Sequence, residues 1–340
     1  MKNRFPLVSI IIINFNGLNF LKVCFDSLTK IKYPIWEAIV VDNGSNDGSI
    51  EFLNGYKNFK SLKVIRNSCN LGFAKPNNQG FQIAKGKYIL LLNNDTRVNP
   101  DFLDKPVEIL NSNKKIGVIQ PKIFLMEKPG YLDNTGSFMT KTGFLVHEGY
   151  LEKDSKIFDK EKKVFATKGA CMLIKREVIE KVGLFDDDFF AYFEESDFCW
   201  RVWLSGYEVM FCPQTSIFHK VGATSKNMNQ FSINYHSLKN RIASLIKNLK
   251  FYNLFLILVP HLIILGAITI YYLLNLKFDK VKMVAAALWW NIIHLSSVLR
   301  KRKIVQELRV VGDKEIFRKV GRKINILAML KHFKKVEKNF

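Results

Sequence analysis

Apolar residues dominate four short runs in the first third of the chain, at 8–13, 38–41, 62–65 and 88–92, which are interrupted only by Ser9 and Lys63. Segments with helical spacing separate them, at 18–30, 48–53 and 73–84. Continuous rather than alternating apolar runs are typical of strands that are covered on both faces. Strands separated by about one helix length predict βαβ units. We therefore expect an α/β fold with a doubly wound, mainly parallel sheet.

The pattern is less regular beyond residue 100, where it predicts a mixture of helices, strands and loops. We expect a helix at 100–112, a strand at 118–124, loops or a small hairpin over 127–163, and renewed order over 164–175. Helices at 176–182 and 196–205 and two short strands at 209–211 and 216–219 follow.

The final 90 residues have a different character. The segment 251–276 carries no formal charge, and as a helix it would exceed the roughly 30 Å of a bilayer core. A weaker apolar run at 283–299 contains Trp289 and Trp290, and the basic cluster 300–303 follows at once. We expect a catalytic domain at 1–250 and a helical, basic, membrane-associated tail at 251–340 on the cytoplasmic side of the cell membrane. A buried helical subdomain is the alternative.

The net charge of +22 supports this division. Residues 251–340 hold 17 Lys and Arg against five Asp and Glu, whereas residues 1–250 hold 35 against 25. A basic cluster beside apolar helices favours anionic lipid over nucleic acid as the partner. The five scattered cysteines form no CxxC pair, which argues against a disulfide framework or a zinc site.

Two acids follow predicted strands. Asp42 opens a loop rich in Gly, Ser and Asn, and Asp95 closes the fourth strand after Asn93 and Asn94. Because parallel strands end at one edge of the sheet, both acids should lie where such sheets bind ligands. Hard oxygen ligands at this edge suit Mg²⁺ or Mn²⁺. The lone His219, which follows a later predicted strand, becomes a credible second ligand.

A cluster of acids marks the predicted helix near residue 196. Glu194, Glu195 and Asp197 stand at its start, and Arg201 lies four residues after Asp197, on the same helix face. If Arg201 holds Asp197, a glutamate is free to act as a general base. Trp200 and Trp203 either stack on an acceptor sugar or pack in the core.

These motifs, in this order, resemble family 2 glycosyltransferases of the GT-A fold, and rhamnosyltransferase-like members in particular. The resemblance covers about residues 7–250. It assigns nucleotide-sugar binding to the first two strand ends, the turn at 70–74 and the end of the fourth strand: Asn14, Asn16, Asp42, Asn43, Gly72, Asn93 and Asn94. Asn93 replaces the first acid of the family's Asp-x-Asp motif.

The resemblance also implies a mechanism. Glu195 occupies the catalytic-base position, with Glu194 as its rival and Asp197 beside them, while Trp200 and Arg201 fall in the acceptor-binding segment. Asp95 and His219 match the metal ligands for Mg²⁺ or Mn²⁺. We expect an inverting transfer of a sugar, for example rhamnose, from a dTDP- or UDP-linked donor to a glycan or a polyprenyl-diphosphate-linked acceptor.

Two other functions fit parts of the pattern. A metal-dependent nucleotidyltransferase also uses strand-end acids, but it predicts a Gly- and Arg-rich triphosphate loop, and residues 14–17 lack the basic content. A non-catalytic basic membrane adaptor with the same fold predicts loss of the acids, yet Asp42, Asp95, Glu195 and Asp197 are all present.

Overall fold

A computed structural model describes residues 5–222 and 229–323 of the protein. One large mixed sheet forms the centre, and its strands run in the order β10-β12-β6-β11-β4-β1-β2-β3. Its strands are β1 (Val8–Asn14), β2 (Trp36–Asp42), β3 (Leu62–Arg66), β4 (Tyr88–Asn93), β5 (Thr96–Val98), β6 (Ile116–Leu125), β7 (Leu132–Asn134), β10 (Lys162–Lys163), β11 (Cys171–Lys175) and β12 (Glu208–His219). Strands β5 and β7 pair with β12 and β6.

Strands β4, β1, β2 and β3 are mutually parallel, and all four carboxyl ends therefore face one edge. Strand β11 runs antiparallel between β4 and β6 and joins this half to the parallel pair β6 and β12. The apolar residues of β1, such as Ile10 and Ile11, are fully buried. The expected α/β fold with a largely parallel sheet is confirmed.

Helices cover both faces of the sheet. They are α1 (Leu18–Leu28), α2 (Ser49–Gly55), α3 (Ala74–Ile83), α4 (Asp104–Ser112), α5 (Arg176–Val182), α6 (Glu194–Leu204) and α7 (Gln230–Asn248). Apolar side chains recur on the inner faces of these helices, for example Leu21, Cys24, Phe25 and Leu28 on α1. One hydrophobic cluster lies on each face of the sheet.

The structure corrects two details of the pattern analysis. The two short strands expected at 209–211 and 216–219 form one strand, β12, with a register shift between Cys212 and Ser216. The region 127–163 holds the expected hairpin, made by β8 (Ser137–Thr140) and β9 (Leu145–His147), together with β7 and β10. The predicted helix at 100–112 begins only at Asp104.

The part of the tail that the structure describes, residues 251–323, forms four helices: α8 (Phe251–Leu274), α9 (Phe278–Ile293), α10 (Leu295–Glu307) and α11 (Asp313–Val320). Among the described helices, α8 is the one that is long and apolar enough by itself to cross a membrane, and 17% of its most apolar window is buried. Helices α9 and α10 pass the same test only as a pair, which is bent by 67°.

The tail also packs back on the rest of the protein. Helices α9 and α10 lie against α7, and Val298, Val305 and Ile316 belong to the main hydrophobic cluster. The last described strand, β13 (Gly321–Arg322), pairs with β8. The predicted division at residue 250 therefore falls within a continuous packing interface.

Candidate active site

Three asparagine and aspartate side chains connect the ends of three adjacent strands. Asn94 Nδ2 donates to Asn14 Oδ1 at 2.8 Å, and Asn14 Nδ2 donates to Asp42 Oδ2 at 2.9 Å. These two hydrogen bonds therefore link the end of β4 through β1 to the end of β2. All three side chains are at least 95% buried, so these hydrogen bonds hold in place the edge of the sheet at which a ligand would bind.

Asp42 organises the loop that follows β2. Its Oδ1 accepts from the backbone N–H groups of Gly44 and Ser45, and its Oδ2 accepts from Ser45 Oγ at 2.6 Å. Ser45 Oγ in turn accepts from the backbone N–H of Asn16 at 2.9 Å. Asp42 is fully buried in this arrangement, and it shapes the loop rather than presenting a free carboxylate.

Asn43 and Gly72 connect this loop to the next one. Asn43 Nδ2 donates to the carbonyl of Gly72 at 2.8 Å. Gly72 has a φ of +85°, and a Cβ there would lie 2.1 Å from the carbonyl oxygen of Phe190. The glycine thus allows close contact with the segment before α6, and its expected contact with the nucleotide stays a prediction.

Asn16 and Asn93 are the more accessible of the expected nucleotide residues. Both are partly exposed. Asn16 has a φ of 47°, and its Oδ1 accepts from the backbone N–H of Asn46 at 2.9 Å. Asn93 ends β4, directly before Asn94 and Asp95.

The sheet register brings Asp95 and His219 together, as expected for a shared site. His219 at the end of β12 pairs with Thr96 of β5, the residue next to Asp95. His219 Nε2 lies 3.3 Å from Asp95 Oδ1, but the two atoms are not aligned for a hydrogen bond, and Asp95 Oδ1 is buried without a partner.

Asp133 is a site residue that the pattern analysis missed. Its Oδ2 lies 2.8 Å from His219 Nδ1, and its Oδ1 accepts from Lys168 Nζ at 2.5 Å. Burial opposes ionisation of Asp133, but Lys168 and His219 outweigh it and lower its pKa to about 2. Burial likewise would lower the pKa of His219, yet Asp133 and Asp95 raise it to about 8. The two carboxylates thus stabilise the protonated form of His219, and Lys168 and His219 stabilise the ionised form of Asp133.

Asp95 and His219 fit one part of a divalent cation site. An orphaned carboxylate oxygen beside an imidazole nitrogen is the donor set that Mg²⁺ or Mn²⁺ accepts, and a carboxylate on the other imidazole nitrogen commonly orients such a histidine. Within residues 5–222 and 229–323, no three His, Cys, Asp or Glu side chains form a complete metal site. Further ligands would have to come from a bound molecule.

The acid pair lies at the start of α6, after a strained turn. Tyr192 and Phe193 adopt φ values of 68° and 72°, which non-glycine residues rarely adopt. Asn240 of α7, which is buried, donates from Nδ2 to the carbonyls of Ala191 and Tyr192 and so holds the turn. This support fixes the direction in which Glu194 and Glu195 leave the backbone.

The two glutamates differ in environment. Glu194 is buried and its Oε2 has no hydrogen-bond partner, whereas Glu195 is partly exposed. Burial and then the charge of Glu195 raise the pKa of Glu194 well above its ordinary value. Burial also raises the pKa of Glu195, but the positive charge of Lys168 offsets part of that increase. Glu194 is therefore the more readily protonated of the two carboxyl groups, and Glu195 keeps the lower pKa of the pair.

Asp197 joins α6 to α7. Arg201 Nε donates to its Oδ2 at 3.0 Å, as the four-residue spacing predicts, and Ser244 Oγ and Asn248 Nδ2 donate to its Oδ1 at 2.7 and 2.9 Å. Burial opposes ionisation of Asp197, but Lys247 and Arg201 lower its pKa. The fully buried carboxylate has a structural role in this arrangement; its predicted catalytic role stays a prediction.

The expected acceptor-binding residues Trp200 and Arg201 are corrected by their positions. Trp200 is 1% exposed and packs edge-on against Phe165, and Trp203 is equally buried. Besides Asp197, Arg201 donates to the carbonyls of Val182, Gly183 and Leu184. Because both side chains are used within the core, neither faces a sugar acceptor.

The family comparison settles what kind of protein carries this site. The model named "Glycosyl transferase family 2" matches residues 9–183, slightly more than half of the chain. The chain belongs to glycosyl transferase family 2. The match includes Asp42, Asp95 and Asp133 and ends before the acid pair.

Three known proteins illustrate the similarity of this family 2 member to others. The poly-beta-1,6-N-acetyl-D-glucosamine synthase of Staphylococcus epidermidis is 23% identical over 210 residues, which are 58% of this chain and 48% of that protein. GalNAc-T7, solved with UDP, GalNAc and Mn²⁺, shares 21% identity and a TM-score of 0.56, over 72% of this chain and 48% of that one. The mannosyltransferase PcManGT of Pyrobaculum calidifontis, solved with GDP-Man and Mn²⁺, shares 16% identity and a TM-score of 0.52, over 90% and 86%.

These structures confirm the expected GT-A fold. The chain spans about half or less of the length of several curated relatives that it matches. Residues 223–228, which follow His219 and Gly222 in the chain, lie outside the described residues.

Proposed function

We propose that this family 2 glycosyltransferase transfers a sugar from a nucleotide-diphosphate donor with inversion at the anomeric carbon. The observation that carries the proposal is the placement of Asp95, His219 and the acid pair around one edge of the sheet, in a chain that matches the family model. Lys168 supports a single site, since it contacts Asp133 beside His219 and its charge also acts on Glu195.

The nucleotide would bind over the ends of β1 and β2. The buried hydrogen bonds that join Asn94, Asn14 and Asp42 hold this edge rigid. Asn16 and Asn93 are partly exposed, and their amide groups are available to a ribose or a base. Direct contact between Asp42 and the nucleotide remains part of the proposal. A dTDP-sugar such as dTDP-rhamnose, or a UDP-sugar, is the donor that the sequence resemblance favours.

Asp95 and His219 would hold Mg²⁺ or Mn²⁺ together with the oxygens of the donor diphosphate. When bound, such a cation stabilises negative charge on the departing diphosphate. Asp133 keeps the His219 ring in place through Nδ1, so that Nε2 faces Asp95. The Mn²⁺ in the solved structures of two similar proteins is consistent with this assignment.

Glu195 would act as the general base. Its carboxylate takes the proton of an acceptor hydroxyl as that oxygen attacks the anomeric carbon from the face opposite the nucleotide. Glu194 is the more readily protonated of the pair, and Asn240 fixes the turn from which both side chains leave.

The tail suggests a lipid-linked glycan as the acceptor. Large apolar side chains on α8 face outward, including Phe255, which is 60% exposed, and Ile263, which is 67% exposed. An uncharged helix of 24 residues with this exposure suits insertion into a bilayer, here on the cytoplasmic side. A polyprenyl-diphosphate-linked acceptor at that surface would be presented to Glu195.

The basic cluster that follows contributes less to lipid binding than its sequence suggests. Lys301 pairs with Asp186 and Asp188, and Arg302 donates to the carbonyls of Ile246 and Leu249. Within this cluster Arg300 and Lys303 are exposed.

A transfer assay tests the proposed function. Full-length protein in detergent is incubated with dTDP-rhamnose, UDP-sugars and a membrane lipid extract, with Mn²⁺ or with chelator, and NMR identifies the anomeric configuration of the product. We expect transfer with inversion from at least one donor in Mn²⁺, and loss of transfer in chelator and in Glu195→Gln. Retention of configuration, or equal transfer in chelator, would refute the mechanism.

A further inference from the structure

Arg241 on α7 is a largely buried cation without a carboxylate partner in the described part of the chain. Its Nε is buried and lacks a hydrogen-bond acceptor, and its guanidinium carbon lies 4.6 Å from the ring centre of Phe144. Lys247, on the same helix, does have carboxylate partners, since it pairs with Asp186 and Asp197. Charged groups in protein interiors are normally paired, so the unpaired Arg241 indicates a binding site for an anion.

His261 of α8 is a second unsatisfied group in the same place. It is fully buried, its Nδ1 lies 2.8 Å from the carbonyl oxygen of Thr142, and its ring lies 4.4 Å from that of Phe144. Because a carbonyl only accepts, Nδ1 carries the proton and Nε2 presents a lone pair, which has no partner. Nε2 is therefore an acceptor, which does not bind an anion, so Arg241 is the anion-binding group beside Phe144.

The position of this group relative to the membrane helix and the acid pair indicates its use. His261 lies within α8, where its neighbours Leu262 and Ile263 are exposed. Arg241 follows Asn240, which holds the turn before Glu194. An anion bound at Arg241 would therefore lie beside Phe144 and the proposed membrane helix.

We propose that Arg241 binds a phosphate group of the lipid-linked acceptor, at the seam between α7, α8 and the β8–β9 hairpin. A guanidinium stays protonated at neutral pH and can donate two parallel hydrogen bonds to phosphate oxygens. Partial burial strengthens this interaction relative to water. The inference rests on the proposed function, because it identifies the diphosphate of that acceptor as the group that anchors it.

Binding of farnesyl diphosphate to the full-length protein in detergent tests this inference. The measurement is made with chelator and without nucleotide. Under these conditions no metal ion is bound at Asp95 and His219, so farnesyl diphosphate cannot bind through a metal at the proposed donor site. Farnesol serves as the uncharged analogue. We expect farnesyl diphosphate to bind at least tenfold more tightly than farnesol, Arg241→Gln to weaken that binding at least tenfold, and Arg241→Lys to have an intermediate effect.

Arg300→Gln is the matched control, since it removes one positive charge from the exposed surface of the tail and should change binding by less than twofold. Equal losses in Arg241→Gln and Arg300→Gln would show a general charge effect and overturn the proposal, as would binding by Arg241→Gln within twofold of wild type. If Arg241→Gln does not fold, Arg241→Lys decides by the same criterion.

A second arm separates acceptor from membrane lipid. Sedimentation with phosphatidylglycerol vesicles should be unchanged in Arg241→Gln, and a loss there equal to the loss of farnesyl diphosphate binding would assign Arg241 to lipid headgroups and overturn the acceptor assignment. Binding of UDP with Mn²⁺, measured on each variant, reports on the proposed donor site separately. If the wild-type protein bound no nucleotide, the proposed function would be refuted. The assignment of Arg241 would then still be decided by the binding of farnesyl diphosphate.

Discussion

His219 Nδ1 lies 2.8 Å from Asp133 Oδ2, although the two residues are 86 positions apart in the chain. The pairing of β7 with β6 and of β6 with β12 brings them together. Asp133 is fully buried and also holds Lys168, so one carboxylate positions both the proposed metal ligand and a cation near Glu195.

Asp133→Asn should weaken Mn²⁺ binding by about 10- to 100-fold, the scale of losses when a metal-orienting carboxylate is removed. The amide keeps the size of the side chain but not the charge that fixes His219 and Lys168. Titration of Mn²⁺ followed by electron paramagnetic resonance measures the effect. Asp159→Asn is the control, because Asp159 is exposed and its ion pair is with Lys122 rather than with His219 or Lys168. Unchanged Mn²⁺ affinity in Asp133→Asn would remove Asp133 from the site.

Glu195→Gln should lower turnover by about 10²-fold or more while nucleotide binding persists, since a general base contributes on that scale. Glu194→Gln should be milder, because the glutamine mimics the protonated acid. Near-normal turnover in Glu195→Gln together with loss in Glu194→Gln would reverse the two roles.

The pH profile of turnover tests the same assignment. Because burial raises the pKa of Glu195, the base should become protonated, and activity should fall, at a pH above the ordinary glutamate value of about 4.3. Removing the Lys168 charge in Lys168→Gln should move this acidic limb to still higher pH. A limb that moves to lower pH in this variant would contradict the proposed electrostatics.

Gly72→Ala should destabilise the protein by about 1–3 kcal/mol more than Gly130→Ala, the cost of forcing an atom into packed structure. Both glycines have a positive φ, but a Cβ at Gly130 meets nothing within 4 Å, whereas at Gly72 it would meet the backbone of Phe190. The difference between the two variants therefore isolates the close contact from the backbone strain. Denaturant unfolding measures it, and equal losses would show that the contact carries no energy.

Lys301→Gln should loosen α10 without reducing attachment to lipid. Lys301 bridges Asp186 and Asp188 at the base of the tail, and its partial exposure limits the loss of stability to about 1 kcal/mol. Hydrogen exchange in α10 should rise, while sedimentation with phosphatidylglycerol vesicles stays within error of wild type. Arg300→Gln should show the opposite pattern. A larger loss of vesicle binding in Lys301→Gln than in Arg300→Gln would restore the lipid-binding interpretation of the cluster.

The parallel half of the fold was accessible from the sequence because its strands are continuous apolar runs with polar residues at their ends. Asp95 and His219 could be placed together for the same reason, since both follow strands. Asp133 could not, because the polar, glycine-containing region around it gives no periodic signal, and its partner depends on strand pairing over 86 residues. Trp200 and Arg201 were assigned to the acceptor because the resemblance places them in the acceptor-binding segment, and a motif does not show whether a side chain is buried.

In the tail, too, the sequence does not show which charged side chains are used within the fold. Its apolar length is readable from composition, but the basic cluster at 300–303 looks uniformly lipid-directed in sequence. Only the folded arrangement reveals that Asp186 and Asp188, more than 110 residues earlier, take up Lys301.

Calorimetric titration of UDP, GDP and dTDP into the full-length protein, with Mn²⁺ and with chelator, tests the central claim most directly. We predict that at least one of these nucleotides binds in Mn²⁺, and that chelator or Asp95→Ala weakens that binding at least tenfold. Equal affinity in Mn²⁺ and chelator, with no effect of Asp95→Ala, would contradict the account of a nucleotide-diphosphate site built on Asp95 and His219.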